Sequence, residues 1–163
     1  SVAIKEGVYK TLQITEEHWE KAFRTNVIAL HQGALLARPL MRARGGGKIL
    51  CISSPGAQRV IEHFSCMGSV KAAQETLVRY LAVELGPDNI QVNAISAGPL
   101  YGELLNKYPN SDRLIPYWET RSAVGRLNTE DEIVGPALSL LSPMSDVITG
   151  AVLQVDHGGS LRI

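Results

Sequence analysis

Two short apolar runs, Lys48-Ile-Leu-Cys-Ile52 and Ile90-Gln-Val-Asn-Ala-Ile-Ser96, each follow a long segment of helical periodicity, and this alternation most limits the folds open to the chain. The first run lacks polar alternation, as strands covered on both faces do, so it predicts a central parallel strand. Ahead of it, Thr15-Glu16-Glu17-His18 reads as a helix start, with a threonine cap and acidic residues where the helix dipole favours them. Trp19, Phe23, Val27, Leu30, Ala34, Leu35 and Leu40 recur at spacings of three and four, predicting one helix over 16–44, bent near Pro39. Gly45-Gly46-Gly47 ends it. A second long helix is expected over 64–86, stopped by Gly86-Pro87, and a third is capped by Thr129, with Ile133, Ala137, Leu140 and Leu141 on one face. Ala151-Val-Leu-Gln-Val155 closes the pattern as a last strand. Strand alternating with helix predicts an α/β fold with a doubly wound parallel sheet. Between Gly98-Pro99 and Thr129 lies a polar stretch of about thirty residues, longer than an ordinary connection, which is expected to be a substrate loop containing short helical turns.

Charge and length exclude several classes of function. Sixteen basic residues balance sixteen acidic ones, so nothing in the charge attracts a phosphate backbone or an anionic lipid surface, and neither nucleic acid nor membrane is an expected partner. No apolar run reaches the 18 or so residues of a membrane helix. Cys51 and Cys66 have no metal-ligand spacing and fit a reducing compartment; a cytoplasmic location is expected, with an organelle interior as the alternative. The 163 residues suffice for one buried core. Ser1 to Lys10 carries neither a helix cap nor a leader pattern and is expected to be a cut end.

In a doubly wound sheet, ligands bind beyond the carboxyl ends of the strands, here Ser53-Ser54 and Ser96-Ala97-Gly98. Both ends are small and polar, as plain turns also are. Five segments in order go further: Ile52-Ser-Ser-Pro-Gly56, Gly68-Ser-Val-Lys-Ala-Ala73, Tyr80-Leu-Ala-Val-Glu-Leu-Gly-Pro87, Val92-Asn-Ala-Ile-Ser-Ala-Gly-Pro99 and Ile148-Thr-Gly-Ala-Val-Leu-Gln-Val-Asp156. Together they resemble the C-terminal half of the short-chain dehydrogenases/reductases, and within that family the enoyl-acyl-carrier-protein reductases. The resemblance implies one partial Rossmann-type domain over 1–163, a nicotinamide cofactor (NADP or NAD) and an acyl thioester substrate.

It also implies roles for individual residues. Asn26 takes the place of a helix asparagine that holds a water in a proton relay, although a polar residue satisfied within its helix is an equal reading on spacing alone. Ser54 matches a serine that hydrogen-bonds the reacting oxygen. Lys71 matches the lysine that binds the nicotinamide ribose and, by its charge, lowers the pKa of a neighbouring tyrosine. Ser53 and the run Ala97, Gly98, Pro99, Leu100 match the strand ends that surround the nicotinamide.

The departure from the family concerns the catalytic tyrosine. The common pattern puts it four residues before the lysine, where Met67 stands; the enoyl-reductase pattern puts it seven before, where Phe64 stands. Neither side chain donates a proton. General acids contribute about 10² to 10⁴-fold, so the loss is worth on the order of 3 to 5 kcal/mol of transition-state stabilisation. Ser54 or water could instead support an enolate oxygen. His63 is expected to be exposed and turned away, Tyr101 and Tyr108 are further phenols in the long segment, and His157 occupies a turn where the family usually has glycine. Two readings follow: a reductase lacking one hydroxyl, and a non-catalytic scaffold of the same fold.

No glycine-rich dinucleotide fingerprint occurs in the sequence. By the resemblance the first four strands are absent as well, so the 48–52 strand is expected to have an open edge. An N-terminal half or another subunit is expected to cover it. The family's mode of pairing implies oligomers through helices 16–44 and 64–86.

Overall fold

The computed structural model describes residues 10–162, so the expected cut end, apart from Lys10, lies outside the described residues. Thr15 does start the first helix. Its hydroxyl accepts from the His18 backbone N–H, and the His18 ring accepts from the Thr15 N–H, both at 3.3 Å. The helix is not continuous, however. Helix α1 (Glu16–Phe23) passes through a π-helical turn at Arg24–Ile28 into helix α2 (Ala29–Ala43). Pro39 lies within α2. The break is at the π turn, well before the expected bend, because an inserted residue shifts the backbone hydrogen-bond register there.

Strand β1 (Gly47–Ser53), helix α3 (Ser65–Leu85) and strand β2 (Ile90–Ala97) follow. The long segment is more helical than expected, with helix α4 (Glu103–Asn106) and an eleven-residue helix α5 (Ser111–Arg121). Helix α6 (Asp131–Leu141) leads to strand β3 (Val152–Val155). Thr129 does not cap α6 through an accepting hydroxyl; its N–H donates to the Glu132 carboxylate at 2.8 Å, and its hydroxyl donates to the same oxygen.

The three strands form a parallel sheet in the order β1-β2-β3, with Ile49 opposite Val92 and Ser53 opposite Ser96. Strand β2 sorts its side chains to two faces. Ile90, Val92 and Ala94 pack with Ala34, Val78, Leu81, Ala82 and Leu85, under α2 and α3. Ile95 and Ala97 pack with Leu140 on the other side, where Ile133 and Ala137 join them, while Leu141 stays 46% exposed. Helices thus cover both faces, as in Rossmann-like α/β folds. Among the described residues β1 pairs only with β2, so the strand whose composition predicts a central place has the open edge that the resemblance implies, and Ile52 is 47% exposed. No helix among these residues is long and apolar enough to cross a membrane.

Candidate functional site

The carboxyl ends of β1 and β2 open into a cavity of about 270 Å³. Ser53, Ser54, Phe64 and the run Ala97 to Leu100 all line it. Gly98 is required by close approach: a Cβ there would lie 2.7 Å from that of Asp156, at the end of β3.

Lys71 stands behind this wall. Its ammonium donates to the Ile52 carbonyl at 2.6 Å, to Asn26 Oδ1 at 2.9 Å and to Gln74 Oε1 at 3.2 Å. All three donors of the ammonium are therefore engaged. Burial pushes the Lys71 pKa below its ordinary value, against the opposing influence of Cys51 and Glu75. Burial also pushes the Cys51 thiol up to about 11, with Lys71 opposing and Glu75 adding to the rise.

The π turn presents Asn26. Its amide nitrogen donates to the Ala22 carbonyl at 2.8 Å, which leaves the side-chain oxygen for Lys71. Its backbone carbonyl accepts from Gln74 Nε2 at 3.2 Å. Both polar ends of Asn26 are thereby satisfied in a residue only 7% exposed.

The two adjacent serines differ. Ser53 is buried and its hydroxyl donates to Glu75 Oε1 at 2.5 Å, so that proton is committed away from the cavity. Ser54 Oγ accepts from the Gly56 N–H at 3.3 Å, a bond that leaves its own O–H to donate elsewhere. Glu75, only 4% exposed and also bonded to Gln58, is a member of this cluster that the sequence reading missed. The available signal was its position four residues after Lys71, one helical turn away on the same side.

Phe64 and Met67 are separated by the structure. Met67 lies in the buried group of Ala22, Val27, Cys66 and Val70, so its place is the core. Phe64 precedes the first turn of α3, and its ring packs against Gly56, leaving no room there for a Cβ, while forming part of the cavity wall. Of the two positions, only Phe64 borders the cavity.

The other phenols are already bonded. Tyr108 donates to the Glu62 carbonyl, and its pKa is raised by burial. Tyr101 donates to Glu119 at 2.5 Å, a bond that raises its pKa. His63 is not exposed as expected: its side chain is 15% accessible, it adopts a φ of 59°, and it faces the Glu62 carboxylate at 3.3 Å. His157, also at positive φ, lies 3.6 Å from Glu132. No cluster of three or more metal-ligating side chains occurs among the described residues.

Comparison with known proteins gives this arrangement its relatives. The family model described as enoyl-(acyl carrier protein) reductase matches residues 1–160. The NADH enoyl-acyl-carrier-protein reductase FabI of Synechocystis sp. is 37% identical over 145 residues, which are 89% of this chain and 55% of the relative. An enoyl-acyl-carrier-protein reductase from Anaplasma phagocytophilum, solved in complex with NAD, superposes with a TM-score of 0.88 at 32% identity, over 99% of this chain and 60% of that one. The Bacillus cereus enoyl-acyl carrier protein reductase, solved with NADP+ and indole naphthyridinone, gives 0.89 at 28% identity, over 99% and 62%. The chain spans little more than half the length of these relatives. With a parallel sheet, a strand-end cavity and this match along nearly its whole length, the chain belongs to the enoyl-(acyl carrier protein) reductase family.

Proposed function

We propose that the chain is the nicotinamide- and substrate-facing part of a reductase acting on enoyl thioesters. The observation that carries this reading is the Lys71 ammonium, held against Asn26 and the Ile52 carbonyl immediately behind a cavity lined by Ser54, Phe64 and residues 97–100. The donor chemistry fits the nicotinamide end of NAD or NADP: a cation for ribose oxygens, and the small strand-end residues Ala97 and Gly98, whose backbone groups suit a carboxamide. The relatives are named for NADH or were solved with NAD or NADP+. Such a cofactor supplies hydride to the carbon β to the thioester carbonyl.

Lys71 would exchange its longest bond, that to Gln74, for a ribose hydroxyl while Asn26 and Ile52 keep it in place. Ser54 has a hydroxyl proton free to support the enolate oxygen that develops. Phe64 supplies an apolar wall that limits water and has no proton to give. Protonation then falls to Ser54 or to solvent. The free edge of β1 would receive a further strand, from an N-terminal half or from another subunit, and oligomers through α1–α2 and α3 go with that assembly.

The test follows oxidation of NADH and of NADPH by the complete assembly with an enoyl thioester. Turnover that is lost in Lys71→Ala is expected; an assembly inert toward both cofactors would overturn the reading. The scaffold alternative draws on one observation, the phenyl ring of Phe64 at the cavity wall, which cannot act as an acid. It predicts that cofactor or thioester binds without turnover.

A further inference from the structure

A second cavity, of about 400 Å³, adjoins the first and is bordered by Arg59, Arg121 and Arg162. None of the three guanidinium groups has a carboxylate partner among the described residues. Arg59 is exposed and its side chain has no partner there at all. Arg121 donates to the Arg162 carbonyl and to the Tyr117 hydroxyl, and its guanidinium lies 5.4 Å from the Tyr117 ring centre. Arg162 donates to the Thr120 carbonyl at 3.1 Å. Of the other arginines, Arg38 and Arg42 face Asp88, Arg113 faces Glu62 and Arg126 faces Glu132, while Arg24, Arg44 and Arg79 also lack a carboxylate partner among the described residues but do not line this cavity.

The carboxylate in the cavity wall, Asp156, forms no ion pair with the three arginines among the described residues. Asp156 accepts from the Gly158 N–H through one oxygen, at 3.0 Å, and from the Ser160 N–H through the other, at 2.9 Å. The bond of Arg162 to the Thr120 carbonyl satisfies the negative end of α5, and the bond of Arg121, the last residue of that helix, to the Arg162 carbonyl ties the two residues together. They also fix two forks whose remaining donors are unused, since each guanidinium carries five. Gathering three like charges is unfavourable unless an anion joins them, and planar forks suit the oxygens of phosphate or carboxylate.

The cavity shares Ile61, Pro99 and Trp118 with the strand-end cavity. A ligand with its reactive end among Ser54, Phe64 and Pro99 could therefore extend past Trp118 and place an anionic group between the arginines. Resting on the enoyl thioester reading, we propose that the Arg59, Arg121 and Arg162 cavity binds the phosphate of the pantetheine arm that carries the thioester.

Calorimetric titration of the complete protein with phosphopantetheine, pantetheine and inorganic phosphate tests this. Phosphopantetheine is expected to bind at least about tenfold more tightly than pantetheine, the scale of one charge-assisted hydrogen bond. Arg59→Ala and Arg59→Glu are expected to erase that difference. Their thermal unfolding should match the parent, because the Arg59 side chain holds nothing in place. Equal binding of the two pantetheines, no binding of either, or a difference that survives both variants would overturn the proposal. Inorganic phosphate binding as tightly as phosphopantetheine would identify a site for a free anion and overturn the assignment to the carrier arm. Reduction of an enoyl N-acetylcysteamine thioester, which has no phosphate, tests the reductase reading separately: its failure would remove that reading, whereas the titration judges the arginine cavity.

Discussion

The Lys71 ammonium and the Asn26 side-chain oxygen lie 2.9 Å apart, a bond that joins α3 to the π turn between α1 and α2. The π turn, Asn26 and Lys71 form one unit: the turn aims the amide, the amide holds the cation, and Gln74 holds the backbone of Asn26 in return. Replacing Asn26 with alanine would leave a partly buried ammonium with one acceptor fewer. An unsatisfied buried polar group costs about 1–3 kcal/mol, and a charged one more. Asn26→Ala is expected to lose at least that much in urea unfolding and to depress the Lys71 pKa further. Unchanged stability would mean that water fully replaces the amide.

Much of this frame was legible in the sequence and some was not, for local reasons. The apolar run at 48–52 and the threonine at 15 carry their own signals, burial on both faces and a cap, so β1 and the start of α1 lie where expected. The π turn has no propensity signal, because it depends on Gln74 and Lys71 arriving from a helix about fifty residues away. Glu75 looks like a solvated charge until β1 places Ser53 against it. Spacing from Lys71 favours Phe64 by the enoyl-reductase pattern and leaves Met67 as the alternative; the packing of α3 against Ala22 and Val27 takes Met67 into the core. The edge position of β1 among the described residues could not be read from its composition, which is that of a strand covered on both faces.

Phe64 offers the sharpest test of chemistry. Its ring already forms part of the cavity wall, so Phe64→Tyr adds a hydroxyl near Ser54 with little else changed. Under the reductase reading the added acid should raise turnover of an enoyl thioester by about 10² to 10⁴-fold, the usual contribution of a positioned proton donor. An unchanged rate would favour the scaffold alternative, in which the surrounding groups are no longer arranged for catalysis.

Two helical glycines should respond in opposite directions to the same substitution. At Gly33 in α2 an added Cβ would meet nothing within 4 Å, so Gly33→Ala should stabilise by about 0.5–1 kcal/mol through helix propensity alone. At Gly68 in α3 the Cβ would meet the Gly56 carbonyl oxygen at 2.5 Å, and that oxygen is backbone. Overpacking of this kind costs about 1–3 kcal/mol, more than the propensity gain returns. Gly68→Ala should therefore lower the melting temperature and displace the Ser54–Gly56 turn, weakening any activity that depends on Ser54. Equal stabilisation by both substitutions would show that the turn yields freely.

The pair of Glu132 and Arg126 should govern part of the acid sensitivity. Arg126 donates to both carboxylate oxygens, at 2.6 and 2.9 Å, and the Thr129 N–H donates to one of them. The Arg126 bonds, and then the Thr129 N–H, hold the Glu132 pKa down at about 2. A carboxylate whose folded pKa is depressed contributes stability above its unfolded pKa, and that contribution is lost as pH falls through the folded value. The window thus runs from about 4.5 down to about 2. Glu132→Gln should melt at a lower temperature than the parent at pH 7, and the gap should close across that window. Because the pair is exposed, added salt should narrow the gap at pH 7 as well. Parallel melting curves for the two proteins at every pH would assign the acid sensitivity to other carboxylates.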